Sequence, residues 1–129
     1  MRTLIASAVS GLLVFAASPL AAQEQKAAAP QPAAVTITAD VIDLSCRLVN
    51  KASGASHREC AQVCADKGQP LALLATDGTV YMPVNAGMGA AGENAKLRAH
   101  AEHRIRVKGR VIEQGSMKAI VIETIEMTS

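Results

Sequence analysis

The apolar pattern of this chain predicts a mostly β domain: a small five-stranded barrel, with one helix inserted after the first strand and a second between the third and fourth. Three observations carry the prediction. Five stretches rich in strand-forming residues are punctuated by Gly, Pro, Asn and Asp. Two further stretches carry helical spacing with recognisable starts and stops. The folded part, about 95 residues from Val35 onward, suffices for one modest core.

The elements follow in order. Residues 1–22, with Arg2 as the only early charge, an apolar run from Leu4 to about Ala17, and small residues before Gln23, have the layout of a secretory signal peptide. The run falls short of the roughly 20 residues a membrane span needs. No cysteine sits beside the expected cut after Ala22 to carry a lipid. Residues 23–34, rich in Ala, Gln and Pro, read as a flexible linker to a domain over 35–129. The expected location is periplasmic or secreted, in a bacterium, with no transmembrane span left in the mature protein.

In VTITADVIDL, the set Val35, Ile37, Ala39, Val41 and Asp43 alternates with Thr36, Thr38, Asp40, Ile42 and Leu44. This is a half-buried strand whose apolar parity changes near its end, the mark of a bulge or bend. Ser56 stands three residues before Glu59, a capping-box spacing that opens a helix from about His57 to Lys67, ended by Gly68. LALLAT and TVYMPV flank Asp77-Gly78, a hairpin with a reversed-twist turn. NAGMGAAG is a loop, ENAKLRAHAEH a short helix, and RIRVKGRVIEQ with MKAIVIETIEM the last two strands. Gly109 inside a clean strand fits a barrel corner. The order is that of an OB-like Greek-key barrel, with an open α+β sandwich as the alternative.

All three cysteines and one of the three histidines lie within residues 45–68. On a helix turning about 100° per residue, His57, Cys60 and Cys64 share a sector of about 60°. Cys46, just past strand one, can close over that face. Cys46, His57, Cys60 and Cys64 then form a Cys₃His set suited to Zn²⁺, or to Cu(I) through its sulfurs. Asp43 is placed to orient the imidazole from behind. Two other readings stand beside this one. Exported cysteines commonly pair, and a disulfide from Cys46 to the helix would staple it to the barrel in a metal-free binding module. Alternatively Cys60 and Cys64 do thiol redox chemistry, with Cys60 activated near a helix N-terminus.

The positions Asp43, Cys46, His57, Cys60, Ala61, Cys64, Gly68, Pro70 and Leu73-Leu74 spell D-x-x-C, H-x-x-C-A-x-x-C, G-x-P and L-L. In these the chain resembles a group of small exported bacterial proteins of OB-like strand order whose biochemical role is not settled. The resemblance covers about Val35 to Glu126. It implies the same fold and marks the cysteine-histidine block as a site. Members commonly carry an aromatic residue after the first cysteine, where this chain has Arg47.

Other features weigh less. Arg104, Arg106, Lys108 and Arg110 alternate along one strand, but nucleic-acid binding on such a fold also needs stacking platforms. Tyr81 is the only aromatic residue beyond residue 22, and the domain's formal balance is only +1. A solvated face is expected there and no nucleic-acid partner. His100 and His103 suit a helix C-terminus, with a second metal site as the alternative. Met82 and Met88 read as fillers rather than soft ligands. GMGAAG lacks the lysine of a phosphate loop. Asp43, His57 and a cysteine can be drawn as a catalytic triad, but three cysteines around one histidine fit ligation better than catalysis. The sequence predicts a metal-binding, delivery or sensing module rather than an enzyme, its partners a metal ion and a second periplasmic protein.

Overall fold

The computed structural model describes residues 32–87 and 92–128. The expected signal peptide, most of the linker and Met88 lie outside the described residues. Five strands are present: β1 (Ala34–Asp43), β2 (Leu71–Ala75), β3 (Val80–Pro83), β4 (Arg104–Gln114) and β5 (Met117–Met127). Their order, β1-β2-β3-β5-β4, returns to β1 and closes the sheet on itself. The closing contact is short, two residue pairs between β3 and β5. All pairings are antiparallel except β3 with β5, where Met82 lies against Ala119 and Pro83 against Ile120. Five strands, with helix after the first and between the third and fourth, were expected, and the described residues form them in a mixed sheet.

Period-two alternation fills the interior. Ala39 and Val41 of β1, Leu73 of β2, Ile105 and Val107 of β4 and Ile120 of β5 are all 0% exposed, and Leu97 packs with them. At about 25 cal/mol per Å² of apolar surface, these aliphatic side chains supply the main stabilisation of a domain without a core tryptophan or phenylalanine. Arg104, Arg106 and Lys108 point outward between them. Gly109 marks the shift of register between β4 and β5. A Cβ there would sit 2.5 Å from the Val121 carbonyl oxygen, so only glycine permits this approach.

Several expectations are corrected. β1 pairs with β2 from Ala39 to Asp43 without a break, so it has no bulge there. Its parity changes for another reason: Ile42, on the outer face, shares a hollow with Arg47, Ser53 and Gly54 of the following segment and is 3% exposed. The hairpin has a three-residue loop, closed by Ala75 N–H donating to the Thr79 carbonyl. Gly78 is left-handed at φ 86°, and Asp77 Oδ1 accepts from Thr79 N–H, so the bulged form replaces the two-residue turn. Helix α1 (Leu44–Asn50) was not expected at all. α2 (Arg58–Asp66) follows a 3₁₀ turn, Ala55–His57, with no capping-box hydrogen bond from Ser56. The second expected helix is shorter, α3 (Asn94–Leu97) plus a 3₁₀ turn over Arg98–His100. No helix among the described residues is long and apolar enough to cross a membrane.

Candidate metal centre

The helices after β1 build a cap over one end of the barrel. Asp43 shares the inward parity of Ala39 and Val41, and it is 0% exposed. It is also the N-cap of α1: its Oδ1 accepts from the Cys46 N–H at 2.9 Å. An Asp at this position satisfies one of the orphan donors that begin a helix. The same bond fixes Cys46, just past β1, in the first turn of α1. Lys51, left-handed at φ 57°, ends the helix. Glycine at 54 then lets the chain turn back through φ 84° into the 3₁₀ turn that delivers His57.

α2 docks through Ala61 and Ala65, both buried. One helical step to the side of that stripe lie His57 and Cys64, half-buried, and Cys60 lies further round, exposed. Cys60 and Cys64 thus lie one turn apart on α2, while His57 belongs to the 3₁₀ turn before it. The C-terminal end of α2 is held by Asn94, whose Nδ2 donates to the carbonyls of Ala65 and Gln69 while its Oδ1 accepts from Leu71 N–H. Arg98 Nη2 donates to Asp66 Oδ2 at 2.8 Å. These contacts, with the two alanines, pin the helix. The disulfide weighed as an alternative does not form: Cys46, Cys60 and Cys64 are all free thiols.

One ligand atom each from Asp43, Cys46 and His57 lie within 4.8 Å of one another. Sequence reasoning placed Asp43 behind the imidazole; the structure places its carboxylate among the donors themselves. Cys64 lies outside that set, although its thiol interacts with Asp43, Cys46 and Cys60. The Asp43 carboxylate beside the Cys64 thiol favours its protonated form and, with partial burial, pushes it up to about 12. Cys46 is raised as well, by loss of hydration first and by Asp43 second. A cation among these donors inverts that balance, since it stabilises thiolate and releases the proton.

Two buried atoms of the centre have no hydrogen-bond partner: Asp43 Oδ2 and His57 Nε2. Leaving a buried polar group unmade costs about 1–3 kcal/mol, and more when it is charged. The contrast with Glu93 is direct. Asp43 and Glu93 are the buried charged residues among those described. Glu93 Oε2 also lacks a hydrogen bond but has the Lys96 Nζ charge at 2.9 Å, and Oε1 accepts from Asn85 Nδ2. No lysine or arginine pairs with Asp43 among the described residues.

The remaining candidates lie elsewhere. Arg104 makes a two-fold hydrogen bond to Asp40, while Arg106 and Arg110 face Glu126 and Glu123 at 4.0 and 3.5 Å. The cationic stripe is therefore a solvated face largely balanced by carboxylates. His100 Nδ1 lies 3.2 Å from Met127 Sδ, on the far side of β4. Met82 belongs to β3, where it faces Ala119 of β5. Comparison with known proteins gives no match to a family model, to a curated protein or to a solved structure.

Proposed function

We propose that the cap is a metal-binding centre and that the protein is an exported metal-binding module of OB-like, Greek-key architecture. The carrying observation is the buried, cation-less Asp43 carboxylate converging with an unpartnered His57 nitrogen and the Cys46 thiol. A buried carboxylate is ordinarily paired or neutralised. A divalent cation held by these residues would supply the missing positive charge. Carboxylate, imidazole and thiolate together are the donor mixture of Zn²⁺, with Cys64 the nearest further sulfur for a fourth position. Zn²⁺ is therefore the favoured ion.

A second reading rests on one further observation: Cys64 neighbours both Cys46 and Cys60, which gathers three sulfurs. That trio suits Cu(I), a soft ion content with two or three thiolates. Exposed Cys60 would then be the sulfur from which an ion passes to or from a partner, in keeping with delivery or sensing in the periplasm.

The test is metal analysis and competition titration of the protein isolated from cells that export it, beside His57→Ala and Cys60→Ser. About one zinc per chain, lost in His57→Ala and kept in Cys60→Ser, supports the zinc centre. Copper retained in His57→Ala but lost in Cys60→Ser supports the sulfur trio. No metal at micromolar zinc or Cu(I), in protein whose three thiols remain titratable, overturns both.

A further inference from the structure

We infer that Glu102 is a positioning residue for this centre, clasping the strand that carries Asp43 to the turn that carries His57. The inference rests on the metal reading for its purpose, though not for its geometry. Glu102 lies 45 positions after His57 in the chain, in the bend between the second 3₁₀ turn and β4, and its φ is +58°. L side chains rarely adopt that region, and such residues persist where surrounding structure holds them.

Two sets of bonds hold Glu102. Its backbone N–H donates to the Val41 carbonyl at 2.7 Å, and Val41 N–H donates to the next residue, His103, at 3.0 Å. β1 is thereby gripped two residues before Asp43. The Glu102 side chain reaches the other way: Oε2 accepts from Gly54 N–H at 2.7 Å. Gly54 has φ 84° and ψ −173°, a combination open essentially to glycine alone. Its carbonyl in turn accepts from His57 N–H at 2.9 Å, the bond that begins the 3₁₀ turn. A continuous chain of hydrogen bonds thus runs from Val41 through Glu102 and Gly54 to His57.

Apart from its continuity with α2, which begins at Arg58, little else places that turn. No residue of α1 or of Ala55–His57 is buried, so apolar packing does not fix the segment. Gly54, the residue preceding the turn, has no side chain with which to cap it, and a carboxylate from 48 residues away takes that part. Segments with few buried contacts depend on single bonds of this kind for their position. A left-handed Glu102 and a glycine-only conformation at Gly54 meet at one hydrogen bond, beside an imidazole that lies within 4.8 Å of the carboxylate and thiol.

Glu102→Gly and Glu102→Gln separate positioning from stability. Glycine removes the clasp and also relieves the left-handed φ, so thermal stability is expected to stay at or above the parent's. Gln keeps an acceptor oxygen for Gly54. Zinc affinity, measured by competition, is expected to fall about tenfold or more in Glu102→Gly, the scale of losing a supporting contact, and to return toward the parent value in Glu102→Gln. Amide exchange at Gly54 and His57 is expected to quicken in Glu102→Gly alone, and the His57 ring resonances to move in the metal-free protein. Unchanged zinc affinity, or unchanged Gly54 exchange and His57 resonances in Glu102→Gly, overturns the inference. If the parent itself binds no zinc, the metal reading falls by that result, and the exchange and ring resonances still decide whether Glu102 positions His57.

Discussion

The wall of the barrel and the cap over its end treat carboxylates in opposite ways. On the wall, Asp40 is partly exposed and bonded twice by Arg104, and Glu123 faces Arg110 across the β4–β5 ladder. Each charge there is solvated, paired or both, and contributes little beyond solubility. In the cap, Asp43 is fully buried, spends one oxygen on starting a helix and leaves the other without a partner. The wall also owes its order to packed aliphatic side chains, whereas α1 buries nothing and exposes Leu48 and Val49. Stability is concentrated in one region. The other is assembled on top of it, in an arrangement that is electrostatically incomplete by itself.

That division predicts effects of different size and opposite sign. The largest belongs to the wall. Leu73→Ala empties a 0%-exposed position of β2 at the centre of the core. It is expected to lower unfolding free energy by about 2–5 kcal/mol, read by denaturant titration. Zinc bound per folded chain should not change. A loss of zinc affinity in protein that is still folded would show that the cap is not separable from the barrel.

The next effect belongs to the cap and runs the other way. Asparagine caps a helix as well as aspartate does, so Asp43→Asn keeps the bond to Cys46 N–H while removing the buried charge. The metal-free protein is expected to gain stability, because a neutral amide is less costly than a carboxylate to bury without a partner. Zinc affinity should fall at least about a hundredfold, beyond what loss of a mere supporting contact causes. Cys64 should return toward its ordinary 9.0 from about 12. Its folded value is raised, so the parent holds an extra proton in the native state, and that contribution is complete below pH 9.0 and fades as pH climbs toward about 12. The variant should lack that alkaline loss, and its Cys64 should alkylate faster near pH 8–9. A destabilised Asp43→Asn would mean that the carboxylate is satisfied without a cation.

The two regions also differ in how much of them could be read from sequence. Alternation located β1, β4 and β5 within a residue or so, whereas β2 and β3, whose burial does not alternate, were located by the turn residues Asp77-Gly78 between them. The same alternation grouped Asp43 with Ala39 and Val41, which was already the signal that a carboxylate is turned inward. The signal lost weight because an inward Asp is rare. α1 escaped because LSCRLVN is seven residues long with no buried stripe to reveal a helical period. Its mark was instead Asp43 itself, standing three residues before Cys46 as an N-cap. Ser56 and Glu59 offered a cap that went unused, since Gly54 is tied across the fold instead. Nothing local announces Glu102: a charged residue in the left-handed region is chosen by contacts 48 residues away.

The smallest prediction compares two ion pairs of the same form. Arg104 and Asp40 join β4 to β1, strands already paired from Ala34–Arg110 to Asp40–Arg104 by their backbones. Arg98 and Asp66 join α2 to the 3₁₀ turn after α3, elements tied otherwise by side chains such as Asn94. Each pair is about half exposed and is worth at most about 1 kcal/mol after screening. Arg98 holds the Asp66 carboxyl below its ordinary 3.8, so this contribution is present above pH 3.8 and is lost as pH falls below it. Arg104→Ala should therefore be nearly silent, because the β1–β4 ladder survives it. Arg98→Ala should cost a few tenths of a kcal/mol more at pH 7, with the gap closing near pH 3 and in high salt. It should also quicken amide exchange at the end of α2 without affecting the barrel. Equal effects of the two substitutions would mean that the cap is held to the wall as firmly as the strands are held to one another, and the division drawn between them would fail.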